Sequence, residues 1–204
     1  MREVSESEVR RLVREGVERA LGPAPASPPR PAPAAPRAAE PRAAAAPRPA
    51  TASAPHRVAL GSDHGGFALK EILKRAIGEA TGWEVQDCGT HSGEAVDYPD
   101  FAAAVAREVA AGRCTLGIVV DAAGIGSAMA ANKVPGARCA VCHDDATVLN
   151  SREHNDANIL SLGARVVHRG TAIRMVKLFL NTPFAGGRHA RRVQKIMALE
   201  RREG

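Results

Sequence analysis

From residue 57 onward, short apolar runs alternate with segments of helical periodicity, and this alternation decides the fold class. Such a pattern is typical of a parallel sheet covered by helices on both faces. We therefore predict an α/β fold, a Rossmann-like three-layer sandwich with a five-stranded parallel sheet. The predicted strands are RVALGS, WEVQDCG, TLGIVVD, ARCAVC and ANILSLGARVV, and the predicted helices are FALKEILKRAIGEA, PDFAAAVAREVAAG, GSAMAANKV, DDATVLNSREHN, TAIRMVKLFLN and RHARRVQKIMALERR.

Residues 23–56 lie outside this pattern because they are almost entirely Pro, Ala and Arg. Without large apolar side chains, they cannot offset the conformational entropy lost on ordering, so we predict a disordered, partly polyproline linker. The linker carries much of the net charge of +6, and few aromatic side chains are available to stack bases, so nucleic-acid binding is not expected. The predicted boundaries are 1–22 for an N-terminal segment, 23–56 for the linker and 57–204 for the folded body.

Residues 1–22 have the pattern of an amphipathic helix. Ser5 and Glu8 form a capping-box pair at its start, and Gly22 followed by Pro23 ends it. Its apolar stripe comprises Val9, Leu12, Val13, Val17, Ala20 and Leu21. A helix with an apolar face and a long tether needs a partner for that face, which can be its own domain, a sister subunit or another protein.

The four cysteines lie in or beside apolar runs, and we expect them to be small buried hydrophobic residues. Two of them form a CxxC, but no second pair completes a zinc site, so no metal is expected. The N-terminus lacks the apolar region of a signal peptide, and no run is long enough to span a membrane. We therefore expect a soluble cytoplasmic protein with reduced thiols. The cysteines are Cys88, Cys114, Cys139 and Cys142.

Polar residues cluster beside the predicted strands. In parallel α/β sheets, ligands bind at the carboxyl ends of the strands, so we expect these residues to form one convergent pocket. They are Asp63 and His64 after the first strand, Asp97 and Tyr98 after the second, Asp121 at the end of the third, and His154, Asn155 and Asp156 before the fifth.

A glycine turn, AGIGSA, follows Asp121 and opens a predicted helix. Gly124 and Gly126 let successive backbone N–H groups point at one spot, which suits a phosphate or a developing enolate oxygen. The turn is not a GxGxxG sequence and follows the third strand, so no dinucleotide cofactor is expected. A plain close turn between strand and helix is the alternative interpretation.

Five segments of the body occur in an order that identifies a family. They are SDHGGFALK, DYPDFAAAVA, GIGSAMAANKVPGARCAVC, SREHNDANILSLGARVV and FAGGRHARRV, within about residues 57–202. They closely resemble the type B ribose-5-phosphate isomerase family, which includes galactose-6-phosphate isomerase subunits. The resemblance implies interconversion of aldose and ketose phosphates through a cis-enediolate, without a metal or organic cofactor. It also implies a homodimer or tetramer in which two subunits share each active site.

The resemblance also implies roles for individual residues. Asp63 and His64 would bind sugar hydroxyls or phosphate, and His154 would open the furanose ring, steered by Asp63. Tyr98 would line the pocket, and Asn155 would contact the substrate. The N–H groups around Gly124, Ile125, Gly126 and Ser127 would hold the enediolate, and the phosphate would be gathered by Arg165, Arg188, His189 and Arg192.

The chain departs from the family pattern at the catalytic base. Members have a cysteine at the position of Asp121 or a glutamate at the position of Ser127, and this chain has neither. We predict that Asp121 replaces the base, since burial at a strand end would raise its pKa, although the amides of the glycine turn would lower it. Two alternatives remain open: a non-catalytic sugar-phosphate binding protein, and an isomerase for another phosphorylated sugar with Ala122 and Ala123 making room for it.

The N-terminal extension resembles, in format, the encapsulation peptides of bacterial microcompartment cargo. Those peptides are short amphipathic helices joined to an enzyme by a linker rich in proline and alanine. The resemblance implies that residues 1–22 bind a shell protein and that the enzyme is packaged inside a microcompartment. The expected activity is conversion of ribose 5-phosphate to ribulose 5-phosphate.

Overall fold

The computed structural model describes Glu8, Arg11 and residues 56–200, with the side chain of residue 80 excepted. Within 56–200 the chain forms one parallel sheet of five strands in the order β2-β1-β3-β5-β4. The predicted α/β sandwich is therefore confirmed. The strands are β1 (Arg57–Ser62), β2 (Glu84–Asp87), β3 (Leu116–Asp121), β4 (Cys139–Val141) and β5 (Ile159–Gly163).

Six helices connect the strands or follow them within residues 56–200, and all six lie within the predicted helical segments or overlap them closely. The fifth strand ends earlier than predicted, because the N–H groups of Val166 and Val167 both donate to the carbonyl of Gly163 and turn the chain away. Arg165 consequently lies in a turn. The helices are α1 (Phe67–Ala80), α2 (Tyr98–Ala110), α3 (Ile125–Ala131), α4 (Asp145–Glu153), α5 (Arg169–Asn181) and α6 (Arg188–Ala198).

Two apolar cores lie on opposite faces of the sheet. Because successive strand side chains point to opposite faces, Leu60 of β1 packs into one core and Ala59 into the other. The first core joins the sheet to α1, α4 and α5, and its largest member is Phe179. The second joins it to α2 and α3 through smaller side chains such as Val105. This arrangement gives the three layers.

The strand order places a crevice at the carboxyl edge of the sheet. The chain leaves β1 on one side to form β2 and then crosses to its other side to form β3. The crevice of such a sheet lies beyond the strand ends at this change of direction. The start of α1 lies tightly against β3 here, since a Cβ on Gly66 would collide with the carbonyl oxygen of Val120.

A buried lysine anchors the loop beside β1. Lys70 is fully buried, and its Nζ lies 2.8 and 2.9 Å from the carboxylate oxygens of Asp87. Burial tends to raise the pKa of Asp87, but hydrogen bonds from Lys70 and Lys74 prevail and lower it to about 2. Asp87 also accepts the N–H of Gly89, whose carbonyl accepts the N–H of Ser62 at 2.6 Å. The carboxyl end of β1 is thereby tied to an ion pair between a buried lysine and a partly buried aspartate.

The predicted N-terminal helix, its capping box and the linker lie outside the described residues, apart from Glu8 and Arg11, which are helical. No helix in the described part of the chain has the length and apolar character needed to cross a membrane. The predicted boundary between the linker and the body stays a prediction.

Candidate active site

The carboxyl edge of the sheet brings together most of the predicted site residues. The loops after β1 and β3 adjoin, because a Cβ on Gly65 would lie 3.5 Å from the side chain of Ala122. The turn after β5 joins them through the N–H of Arg165, which donates to the carbonyl of Ala122 at 3.0 Å. We call the residues on this edge the carboxyl-edge set: Asp63, His64, Tyr98, Asp121, Gly124, Ile125, Gly126, Ser127 and Arg165.

Asp121 is buried at the end of β3, and its carboxylate turns into the glycine loop. Its Oδ1 accepts the N–H of Ala123 at 2.8 Å and the N–H of Gly124. Its Oδ2 accepts the N–H of Ser127 at 2.9 Å, from the first turn of α3. The amides that we predicted to hold an enediolate are thus partly engaged by the protein's own carboxylate.

The pKa of Asp121 is lowered. Burial is the largest single influence and would raise it, but the hydrogen bonds from Ser127, Gly124 and Ala123 together prevail. The sequence had suggested that burial would raise the pKa of Asp121 and make it a stronger base. In the structure, the hydrogen bonds from the glycine turn outweigh the effect of burial. The carboxylate is ionised at neutral pH, and it is a weaker base than an unbonded aspartate.

The glycine turn is held in place from β5. Gly124 adopts a left-handed conformation with a φ of 81°, and a Cβ at this position would stand 3.0 Å from the backbone of β5. The fully buried hydroxyl of Ser161 donates to the carbonyl of Gly124 at 2.5 Å. The direction of the amides toward Asp121 is therefore set by the sheet and not by the loop alone.

The remaining carboxyl-edge residues surround this turn. The ring of Tyr98 packs so closely on Gly126 that a Cβ there would lie 2.6 Å from its Cζ atom. Asp63 is buried and accepts the N–H of Gly66 at 2.8 Å. The Nδ1 of the exposed His64 lies 3.2 Å from both the backbone nitrogen and the carbonyl oxygen of Val96, which links the end of β1 to the loop before α2.

The remaining predicted residues lie at the amino edge of the sheet, where the strands begin, and we call them the amino-edge set. His154 ends α4 just before β5 begins, and α6 stacks its His189 on the His154 ring with 4.2 Å between ring centroids. A strand rises by about 3.3 Å per residue, so β5 alone separates the two edges by about 13 Å. The amino-edge set comprises His154, Asn155, Arg188, His189 and Arg192.

Within one chain, the prediction of a single convergent pocket is therefore wrong. In a parallel sheet, the residues that precede a strand lie at the edge opposite to those that follow one. The expected steering of His154 by Asp63 fails within one chain for the same reason, since the two residues lie at opposite edges. The predicted parallel sheet already implied this separation, since His154 and Asn155 precede the predicted fifth strand.

The amino-edge set is rich in cations. Arg188 donates from Nε to Nε2 of the buried His189 at 3.4 Å. Desolvation lowers the pKa of His189, and the positive charges of Arg188 and Arg192 contribute in the same direction. The imidazole is thus kept neutral beside two exposed guanidinium groups, an arrangement suited to a phosphate dianion.

None of the four cysteines belongs to the carboxyl-edge set or to the amino-edge set. All four are free thiols, with Cys114 and Cys142 buried and the other two partly buried. Desolvation raises the pKa of Cys139, so its thiol is protonated and poorly reactive. Among the described residues, no group of three or more His, Cys, Asp or Glu side chains could hold a metal ion.

Three supporting residues escaped sequence analysis, although two had a signal. Lys70 shares the apolar stripe of α1 with Leu73 and Ile77, a helical spacing that predicts burial. Asn150 precedes His154 by four residues on α4, a spacing that places both on one face. Ser161 offers no such signal, because a serine in a buried strand does not indicate which carbonyl it will bind.

Comparison with known proteins gives one consistent result. A profile of the family described as Ribose/Galactose Isomerase matches residues 58–196. The ribose-5-phosphate isomerase B of Escherichia coli is 42% identical over 146 residues, which cover 72% of this chain and 97% of that protein. The solved structure of Clostridium thermocellum ribose-5-phosphate isomerase B is 50% identical, with a TM-score of 0.69 over 71% of this chain and 97% of that one.

A further solved structure contains a bound sugar phosphate. It is the ribose-5-phosphate isomerase B of Mycoplasma genitalium with bound ribulose-5-phosphate, 38% identical, with a TM-score of 0.68 over 71% of this chain and 96% of that one. Together with the sheet and the polar carboxyl edge, these matches define a sugar phosphate isomerase, an enzyme of the aldose–ketose isomerase class. The chain belongs to the Ribose/Galactose Isomerase family, and within it to the ribose-5-phosphate isomerase B type.

Proposed function

We propose that this enzyme interconverts ribose 5-phosphate and ribulose 5-phosphate through an enediolate, with Asp121 as the base and no cofactor. The observation that carries the proposal is the ionised, buried carboxylate of Asp121 beside the glycine turn at the carboxyl edge. The substrate follows the names of the relatives, one of which holds ribulose-5-phosphate. The base takes the proton from C2 of the open aldose and returns it to C1.

The hydrogen bonds of Asp121 leave other amides of the turn for the substrate. Ala123 and Gly124 donate to Oδ1, and Ser127 donates to the carboxylate through its backbone N–H, which reaches Oδ2, and through its side chain. The first N–H groups of a helix have no partner within it, so those of Ile125 and Gly126 are left for the enediolate oxygens.

We propose that two copies of the chain complete each site. The acid, tyrosine and glycine turn lie at one edge of the sheet, and His154, Asn155 and the arginines of α6 lie at the other, so a second copy must supply one of the two sets. A two-fold dimer would form two equivalent sites in this way. Exposed apolar residues at both edges support such contacts: Ile125, Met129, Val166, Ile196 and Leu199.

Deuterium exchange at the substrate carbon tests the base. In deuterated water, the wild-type enzyme should catalyse deuterium uptake at C2 of ribose 5-phosphate, followed by NMR. Asp121→Asn keeps the side-chain shape but removes the basic carboxylate, so we expect the exchange rate to fall by more than about a hundredfold. Substrate binding, measured by calorimetry, should survive within about tenfold because the phosphate contacts remain.

The same experiment separates the competing functions. The engagement of Asp121 by the turn amides favours the second candidate, a sugar-phosphate binding protein without catalysis. Binding of ribose 5-phosphate by the wild type without any exchange would establish that candidate. Exchange only with a hexose or deoxy-sugar phosphate would instead assign a different substrate, consistent with the small side chains of Ala122 and Ala123.

Subunit mixing tests the shared site. Asp121→Asn damages the carboxyl-edge set and His154→Gln the amino-edge set, so each variant alone should be almost inactive. If one site draws on both copies, random re-pairing of equal amounts should restore about a quarter of wild-type activity, since half of the dimers are mixed and each has one intact site. A mixture no more active than its parents would contradict the proposal.

We propose further that residues 1–22 direct the enzyme into a microcompartment by binding a shell protein. The proposal rests on the sequence alone, on an amphipathic helix tethered by a linker rich in proline and alanine. Residues 1–56 fused to a fluorescent protein should concentrate in shells when shell proteins are co-expressed. A matched fusion with Leu12→Asp and Val13→Asp should remain diffuse, and equal distribution of the two fusions would remove the proposal.

A further inference from the structure

His154 is held on two sides at the end of α4. One face of its ring stacks on His189, with ring planes only 2° apart. Its Nδ1 lies 2.9 Å from the side-chain nitrogen of Asn150, one helical turn earlier. Within residues 56–200 its Nε2 makes no hydrogen bond, so this is the ring nitrogen left for a ligand.

The direction of the Asn150 bond follows from its neighbour. The side-chain nitrogen of Asn155 lies 3.1 Å from the backbone carbonyl of Asn150, which can only accept. The same nitrogen lies 3.0 Å from Oδ1 of Asn150. The Asn150 amide must therefore turn its oxygen toward Asn155 and its NH₂ group toward His154.

The His154 ring must then accept at Nδ1. A neutral imidazole carries one proton, and a nitrogen that accepts a hydrogen bond has none, so the proton resides on Nε2. A chain of two asparagines, fixed at one end to a backbone carbonyl, thus selects one tautomer. The free edge of the ring is a hydrogen-bond donor.

We propose that Asn150, itself oriented by Asn155, is a positioning residue that holds neutral His154 as its Nε2–H tautomer, which donates a hydrogen bond to the ring oxygen of a bound furanose. The inference rests on the proposed function and deepens it. A neutral imidazole that donates to a substrate oxygen can polarise it without carrying charge. The donated bond weakens the bond from the ring oxygen to C1. When that bond breaks, a water molecule takes the proton of the C1 hydroxyl and delivers one to the ring oxygen, which leaves a C1 aldehyde and a C4 hydroxyl before Asp121 acts.

The tautomer can be observed directly in the full-length enzyme. In ¹⁵N NMR spectra at alkaline pH, where imidazoles are neutral, the His154 signals should be those of an Nε2–H ring. They are assigned by their loss in His154→Gln. In Asn150→Asp, a nearly isosteric carboxylate can only accept, so His154 should change to the Nδ1–H tautomer. Asn181→Asp, which adds the same charge elsewhere on the amino edge, should leave the His154 signals unchanged.

Kinetics then separate ring opening from proton transfer. Turnover of ribose 5-phosphate, which is mostly a closed furanose, should fall by about 10- to 100-fold in Asn150→Asp, chiefly in kcat. Deuterium exchange at C1 of ribulose 5-phosphate, an open-chain ketose, should stay within about twofold of wild type, because it needs no ring opening. Asn181→Asp should keep both activities.

Three results would overturn the inference. An Nδ1–H ring in the wild-type spectrum would do so, as would an unchanged tautomer in Asn150→Asp. Equal loss of both activities in Asn150→Asp would indicate a general structural defect. Failure of the proposed function is distinguishable, since the wild type would then show no exchange with either sugar while the NMR spectra still report the tautomer.

Discussion

The carboxylate of Asp121, bonded to the amides of the glycine turn, is the interaction on which the site depends. It joins the end of β3 to the first turn of α3 and decides both the charge of the acid and the direction of the neighbouring N–H groups. Backbone amides stabilise the ionised form, so the group is always ready to accept a proton but accepts it weakly. A thiolate in the same turn would be stabilised in the same way.

A second constraint is the parallel sheet, which places the reactive residues of one chain at two opposite edges. The acid and the anion-binding amides follow strands, whereas His154 and the arginines of α6 lie where a strand begins or beyond the last one. In the proposed dimer, the base would meet the ring-opening histidine only after assembly. Activity would then depend on assembly, and an isolated chain would hold the two halves of the site apart.

Sequence reasoning recovered the fold because β1, β3 and β5 are short, buried apolar runs and each helix has its own period. The five strands were placed correctly, and only the end of β5 was misjudged, where Arg165 lies in a turn. Spatial grouping was misjudged, although SREHNDAN precedes the predicted fifth strand and a parallel sheet places such residues at the amino edge. The direction of the pKa shift of Asp121 could not be predicted from the sequence either. Burial raises the pKa and the amide hydrogen bonds lower it, and only the geometry shows which effect prevails.

The supporting residues extend this lesson. The sequence positions of Lys70, Ser161 and Asn150 do not show which groups they support. Lys70 fixes the end of β1, Ser161 fixes the glycine turn and Asn150 fixes the His154 ring. Their roles arise from contacts between elements that are distant in sequence or from the direction of an amide. Such contacts determine how accurately the reactive groups are held, which a misplacement of about 1 Å can undo.

The pH dependence of kcat/KM for the wild type and Asp121→Cys tests the role of Asp121 most directly. A base acts only when deprotonated, and the lowered pKa of Asp121 keeps it deprotonated from below the ordinary aspartate value of 3.8 upward. Replacing it with a thiol, whose ordinary pKa is about 8.5, should move the acidic limb of the profile upward while other groups common to both proteins stay fixed. Superimposable acidic limbs in two active enzymes would contradict Asp121 as the base.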